Sequence, residues 1–180
     1  GCNLLLNSVW AGATAGISGT NAAPTNFTFL LNQGSIALVN SIYGTDAQAI
    51  KFTASGNREA IYQSVSVTNG NTYCMSVFIE DYSGSIAVNN ILGDSTSSGT
   101  FYDPSGNVIN QSTVISSTGR YKYVYTATST SIIYRLGCGI NATATGYVTL
   151  SRPQFETGST TSTYIPTTNA AAALLSLIHI

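Results

Sequence analysis

Charge is scarce in this chain. Six Lys/Arg and seven Asp/Glu make up 7% of its 180 residues, where soluble domains carry about 25%. The basic residues are scattered and form no run. Phosphate-driven binding of nucleic acid needs clustered Lys and Arg, so that class is excluded. An anionic membrane surface is disfavoured on the same ground. Histidine occurs once, as His179 near the C-terminus, which leaves a serine-hydrolase relay without a base. The three cysteines, Cys2, Cys74 and Cys138, are odd in number, so at least one thiol is free. No two are close enough in sequence for a zinc site. Cys74 and Cys138 sit in apolar strand patterns and read as small buried hydrophobes, bridged only if their strands are neighbours. No apolar run reaches the ~20 residues of a membrane helix, and no charged-then-apolar leader opens the sequence.

What fills the chain instead is 43% hydrophobic residues among abundant Ser, Thr, Asn and Gly. That is not the composition of disorder. A chain this long buries roughly 70% of its unfolded surface, enough for one all-β domain with hydroxyl- and amide-rich outer faces. Strand signals dominate. Ile50 to Ala54 alternates, as does Glu59 to Val67, with Ile61, Gln63, Val65 and Val67 on one face. Asn69-Gly70 reads as a hairpin turn into the next strand. From Thr72 to Glu80, Tyr73, Met75, Val77 and Ile79 oppose Cys74, Ser76 and Phe78. Arg120 to Ala127 sets three tyrosines against Lys122 and Val124. Ser131 to Ile140 and Tyr147 to Phe155 follow. Trp10 to Gly34 reads as a long wrapping loop pinned by Phe27 and Phe29, and Ile86 to Val88 as a short strand. Short strands with recurring turns predict a two-sheet antiparallel β-sandwich.

The end of the chain carries a phrase, Ser151-Arg152-Pro153-Gln154-Phe155-Glu156-Thr157-Gly158, followed by Thr161-Ser162-Thr163-Tyr164-Ile165-Pro166-Thr167. It resembles the close of the jelly-roll carbohydrate-binding domains of bacteriophage tail fibres and virion proteins, which end on a phrase like Arg-Pro-Gln-Leu-Glu-x-Gly and then Thr-Ser-Tyr-Ile-Pro-Thr. Asn3-Leu4-Leu5-Leu6-Asn7-Ser8, Gly44-Thr45-Asp46, Ile50 to Ala54, Ile61 to Val67, Gly70 to Val77, Tyr121-Lys122-Tyr123 and Arg135-Leu136-Gly137 follow in the family's order. The resemblance spans nearly residues 3 to 167. It implies a jelly roll over 1–168 that binds poly- or oligosaccharide without catalysis, in a virion or outside the cell, with a homo-oligomer as the form of the parent protein. It also implies a structural calcium ion near Asp46 and the carbonyls around Asn3. The chain departs from the family after the first strand, reading Asn7-Ser8-Val9-Trp10-Ala11 where relatives have an acidic residue, so the calcium is not required. An Asx turn is the other reading of Asp46.

A glycan site needs aromatic faces for sugar rings, with amide and guanidinium groups for hydroxyls. Loop aromatics are the candidates: Tyr82, Phe101 and Tyr102, with Trp10 either in the site or capping the core. On strands the family's cleft suggests Gln63 and Ser76 or Phe78, with Arg135 beside them. An arginine facing the core is costly unless paired, so Arg135 would face a cleft or solvent, or pair with Glu80 or Glu59. A structural or oligomerisation domain is the alternative function. A lyase or hydrolase would need two of the seven carboxylates facing across a cleft.

Residues 169–180 read as a linker stub. Leu175-Ser176-Leu177-Ile178-His179-Ile180 back-translates to CTG TCT CTT ATA CAC ATC, which looks like a sequencing-library transposase adapter. The natural reading frame, from an environmental sample, is expected to continue differently after about Ala173.

Overall fold

A computed structural model describes residues 1–169 and the backbone of Ala172–Ala173. His179, the adapter-like stretch and nearly all of the linker stub lie outside the described residues. The strands are β1 (Cys2–Asn3), β2 (Gly16–Ile17), β3 (Thr28–Asn32), β4 (Ser35–Val39), β5 (Ala49–Asn57), β6 (Glu59–Ser66) and β7 (Thr72–Ser83). They continue as β8 (Leu92–Gly93), β9 (Thr100–Tyr102), β10 (Val108–Ile109), β11 (Gly119–Thr126), β12 (Ser131–Cys138), β13 (Ala144–Thr157) and β14 (Ala172–Ala173). The expected strand around Ile86 is instead an isolated bridge at Ala87 and a 3-10 turn at Val88–Asn90.

All paired strands run antiparallel, in two main sheets. The larger has eight strands in the order β10-β9-β11-β7-β13-β5-β4-β2, the smaller four in the order β3-β6-β12-β8. β1 and β14 form a separate pair. The chain is therefore an all-β sandwich of two antiparallel sheets, as the alternating pattern predicts.

One connection differs from expectation. Asn69-Gly70 does not join a hairpin: β6 pairs with β3 and β12, whereas β7 pairs with β11 and β13. The turn carries the chain from the small sheet to the large one. It docks on the parallel crossing from β11 to β12, through Gly70 N–H to Ala127 O and Ala127 N–H to Asn71 O, both 2.8 Å. The reason lies in the strand faces. Ile61 and Val65 on β6, and Met75, Val77 and Ile79 on β7, all enter one core, so the strands must face each other across the sandwich rather than lie side by side.

Period-two alternation decides what is inside. Tyr121, Tyr123 and Tyr125 of β11, Phe52 of β5, Phe155 of β13 and Tyr134 of β12 all pack in the core. Tyr73 stacks on Phe155 and Tyr125 at centroid distances of 5.3 and 6.1 Å, and Tyr125 tilts onto Phe155 at 6.5 Å. Trp10 is a core residue too, tilted against Phe27 at 5.4 Å. Cys138 faces this core, while Cys74 lies on the other face of its own strand in the opposite sheet, and both are free thiols. Burial pushes each up to about 11.

Glu59 is also interior. Its carboxylate accepts the Gly34 N–H at 3.2 Å, and the Asn32 amide, turned to donate, reaches it at 2.8 Å. Burial pushes Glu59 up to about 7 from an ordinary 4.5. Between those values the folded chain holds a proton that the unfolded chain has released, so stability falls as pH rises through that window and levels off above it. The loss is on the order of 2 kcal/mol. Urea midpoints compared at pH 5 and pH 8 should show it, and Glu59→Gln should abolish the difference.

Candidate functional site

The outer face of the large sheet is unusual because much of it is polar yet covered. Its residues follow from register. Phe101, Tyr121, Tyr123, Met75, Val77 and Phe155 point inward, so their neighbours point out. One row across the sheet is Tyr102, Lys122, Ser76 and Gln154; the next is Arg120, Phe78 and Ser151. Neighbouring strands are ~4.8 Å apart and alternate residues ~7 Å apart, so these side chains touch.

Lys122 Nζ lies 4.6 Å from the centre of the Tyr102 ring. The Arg120 guanidinium sits 5.5 Å from the Phe78 ring and donates to Ser76 Oγ at 2.9 and 3.1 Å. It also lies 3.5 Å from Glu156. Burial draws Arg120 below its ordinary pKa while Glu156 opposes that shift. Tyr43, from the loop after β4, tilts onto Phe78 at 5.0 Å and leaves 42% of its surface exposed. The result is one continuous strip of Tyr43, Phe78, Arg120, Lys122 and Tyr102.

Two segments lie over this face, and the closing phrase holds both. In Arg152-Pro153-Gln154-Phe155-Glu156, Phe155 goes into the core while Gln154 and Glu156 face out. Gln154 Oε1 accepts the Ile165 N–H at 2.8 Å. Glu156 accepts the Ser162 N–H at 3.1 Å and the Ser162 hydroxyl. Tyr164 and Thr167 then bond Ser8, fastening the exit segment to the N-terminal region. Arg152 sits on a bulge in β13, with φ at +52°, and reaches the other segment. Its guanidinium contacts Asp46, the Ser41 hydroxyl and, at 3.6 Å, Glu80. Glu80 also accepts the Ile42 N–H at 2.8 Å. This buried Arg152–Glu80 pair fixes the loop that presents Tyr43. Behind the loop is an open hollow of about 500 Å3 lined by Val9, Asn40, Ser41 and residues 44–48.

The expected site residues disperse. Phe78 and Tyr102 join the strip. Trp10 and Phe101 are buried in the core and offer no ring face to a ligand; Phe101 points inward because it packs 4.7 Å from Tyr123. Gln63 also points inward. It bonds Leu6 N–H at 2.7 Å and Leu6 O at 2.9 Å, which anchors the N-terminal segment. Tyr82 is half-buried against the core at the far end of β7. Arg135 lies on the outer face of the small sheet opposite Tyr62. There it donates to Asp94 O and, at 2.9 Å, to Asn141 Oδ1, pairing with neither Glu80 nor Glu59. Asp46 does not fit a calcium site either: the Arg152 guanidinium takes its carboxylate, and its acidic neighbour among the described residues, Glu80, serves the same arginine.

Tyr43, Arg120 and Lys122 are the members that sequence reasoning missed. Tyr43 precedes Gly44 in a loop, so the reasoning that selected Tyr82 and Tyr102 applies to it equally.

No family model matches the chain, and no curated protein matches it in sequence. Solved structures do. One is the arabinose-bound MgGH51 α-L-arabinofuranosidase, with TM-score 0.47 and 13% identity over 87% of this chain and 26% of that one. Another is the CBM22-1 xylan-binding domain of Paenibacillus barcinonensis Xyn10C, with TM-score 0.40 and 16% identity over 86% of this chain and 94% of that one. The chain thus spans about a quarter of the arabinofuranosidase. At these scores the likeness concerns the path of the chain and says nothing of ligands.

The seven carboxylates all have structural partners. Asp46 and Glu80 bind Arg152, and Glu156 binds Arg120 and Ser162. Glu59 takes the Gly34 N–H. Asp81 accepts the Tyr147 hydroxyl at 3.2 Å, and Asp103 caps its own turn through Ser105 and Asn107 N–H. Asp94 ties its loop through Thr96 and Ser97 N–H.

Proposed function

We propose that this chain is a non-catalytic carbohydrate-binding module that holds a poly- or oligosaccharide along the outer face of its large sheet. The observation that carries this reading is the strip itself. An exposed tyrosine ring held in a loop, beside an ammonium and a second tyrosine, supplies stacking surface and a hydroxyl-directed donor on one face, while the Arg120 guanidinium between them is bonded to Ser76, Glu156 and the Ser162 carbonyl. Rigid anchoring of Tyr43 lowers the entropy cost of binding. The carboxylates being committed to structural bonds supports binding over hydrolysis or lyase chemistry. The closing phrase supports a place for the domain, residues 1–168, in an adhesion part of a virion or another extracellular protein.

A structural or oligomerisation role is the second reading. It is favoured by the short outermost strand β10, where Val108 is 67% exposed and edge pairing is open.

Affinity electrophoresis through gels cast with different neutral and acidic polysaccharides separates the two. Retardation by at least one polymer, lost in Tyr43→Ala and weakened in Tyr102→Ala, is expected of the module. No retardation on any polymer, with a dimer or trimer that Val108→Lys dissolves, would favour assembly.

A further inference from the structure

At one end of the sandwich, where β11 crosses to β12, lies a pocket of about 180 Å3. It is separate from the strip. Its walls are the loop at 94–98, the end of β11 and the start of β12. Two observations mark it as a built site.

The loop is fixed from beneath. Asp94, almost fully buried, accepts the Thr96 N–H at 3.1 Å, the Ser97 N–H at 2.9 Å and the Tyr123 hydroxyl at 2.8 Å. The Tyr123 oxygen accepts the Gly99 N–H at 2.7 Å. Ser97 is held at φ +54°, a left-handed conformation that costs a non-glycine residue energy. The loop is therefore shaped in advance.

Tyr125 forms part of the wall; its hydroxyl has no hydrogen-bond partner but is closed to solvent, so a ligand in the pocket does not reach it. An orphan of this kind costs about 1–3 kcal/mol, and phenylalanine would fill the same space without it.

The rest of the lining is hydroxyl-rich, with Ser98, Thr128 and Ser131 beside the apolar Ile132. Asp94 is its one ionisable carboxylate, and donors already occupy its oxygens. Hydroxyls both donate and accept, which matches a neutral polyol better than an ion. The volume equals about six waters at ~30 Å3 each, room for one pyranose ring.

We propose that this pocket binds a single neutral sugar residue, the end of a chain rather than its middle, independently of the strip on the large sheet. The test is amide chemical-shift titration of the whole chain with the methyl glycosides of glucose, galactose, mannose and xylose, and with glycerol as control. At least one glycoside should move the amides of residues 95–99 and 128–131, saturating on the order of 1–10 mM. Ser131→Phe, which fills the pocket, should abolish the response. Tyr125→Phe should leave it in place while keeping or raising the unfolding midpoint, because an unpaired polar group out of the ligand's reach is removed. Tyr43→Ala should leave it unchanged, so loss of the strip and loss of the pocket are read separately. The proposal is overturned if no glycoside moves these amides, if glycerol moves them equally, or if Ser131→Phe binds as the parent does.

Discussion

Replacing Asn3 with alanine should cost about 3–5 kcal/mol of stability, since each buried group left unpaired costs about 1–3 kcal/mol. Asn3 is fully buried and its amide makes four bonds to backbone. Nδ2 donates to Pro153 O at 3.1 Å and Ile165 O at 2.9 Å. Oδ1 accepts Phe155 N–H at 3.1 Å and Leu5 N–H at 3.2 Å. A single side chain thus joins the first strand, the last long strand and the exit segment. Alanine fills none of these roles, and the site is too closed for water to enter freely. Thermal unfolding should move down by about 10 °C, at ~2–4 °C per kcal/mol for a domain of this size. Asn3→Asp keeps the acceptor but loses both donations, so it should destabilise as well. A change below ~1 kcal/mol would mean that these bonds are replaced by solvent.

Arg152→Met should be comparably severe, at about 3–5 kcal/mol, because it leaves Glu80 buried without its cation. The side chains of Arg152 and Glu80 are 5% and 2% exposed, so solvent offers little compensation. The double variant Arg152→Met with Glu80→Gln should lose less than the sum of the single losses, because neither charge is then stranded. Chemical denaturation of the four proteins in the cycle reads this directly. The single variant should also loosen the loop that carries Tyr43, since Glu80 and Arg152 hold Ser41 and Ile42. Binding should therefore weaken even where the protein remains folded. Additive losses with unchanged binding would show that the pair is not what positions the loop.

Much of the fold is legible in the sequence because period-two alternation is a direct image of a two-layer sandwich. The faces of β7 and β11 follow from Tyr73, Met75, Val77 and Ile79, and from Tyr121, Tyr123 and Tyr125, without any structure. Pairing is less legible. Asn69-Gly70 has hairpin chemistry, yet the chain uses the turn to change layers, and only the shared core of β6 and β7 reveals that. The site is harder still. Trp10 and Phe101 stand among Gly, Ser and Thr like exposed loop aromatics, but Phe27 and Tyr123 draw them inward. Gln63 lies on the apolar face of β6, where an amide serves the backbone of Leu6. Arg152, Gln154 and Glu156 are recognisable as a phrase; that they clamp two returning segments depends on contacts with Asp46, Ser162 and Ile165, distant in sequence or on the far side of a turn.

The most direct measurement is amide-shift mapping with an oligosaccharide cut from whichever polysaccharide retards the protein. The account predicts the largest changes at residues 42–44, 76–78, 100–102 and 120–122, the backbone beneath and beside the strip. Changes confined to the small sheet around Tyr62 and Arg135, with the strip silent, would contradict it.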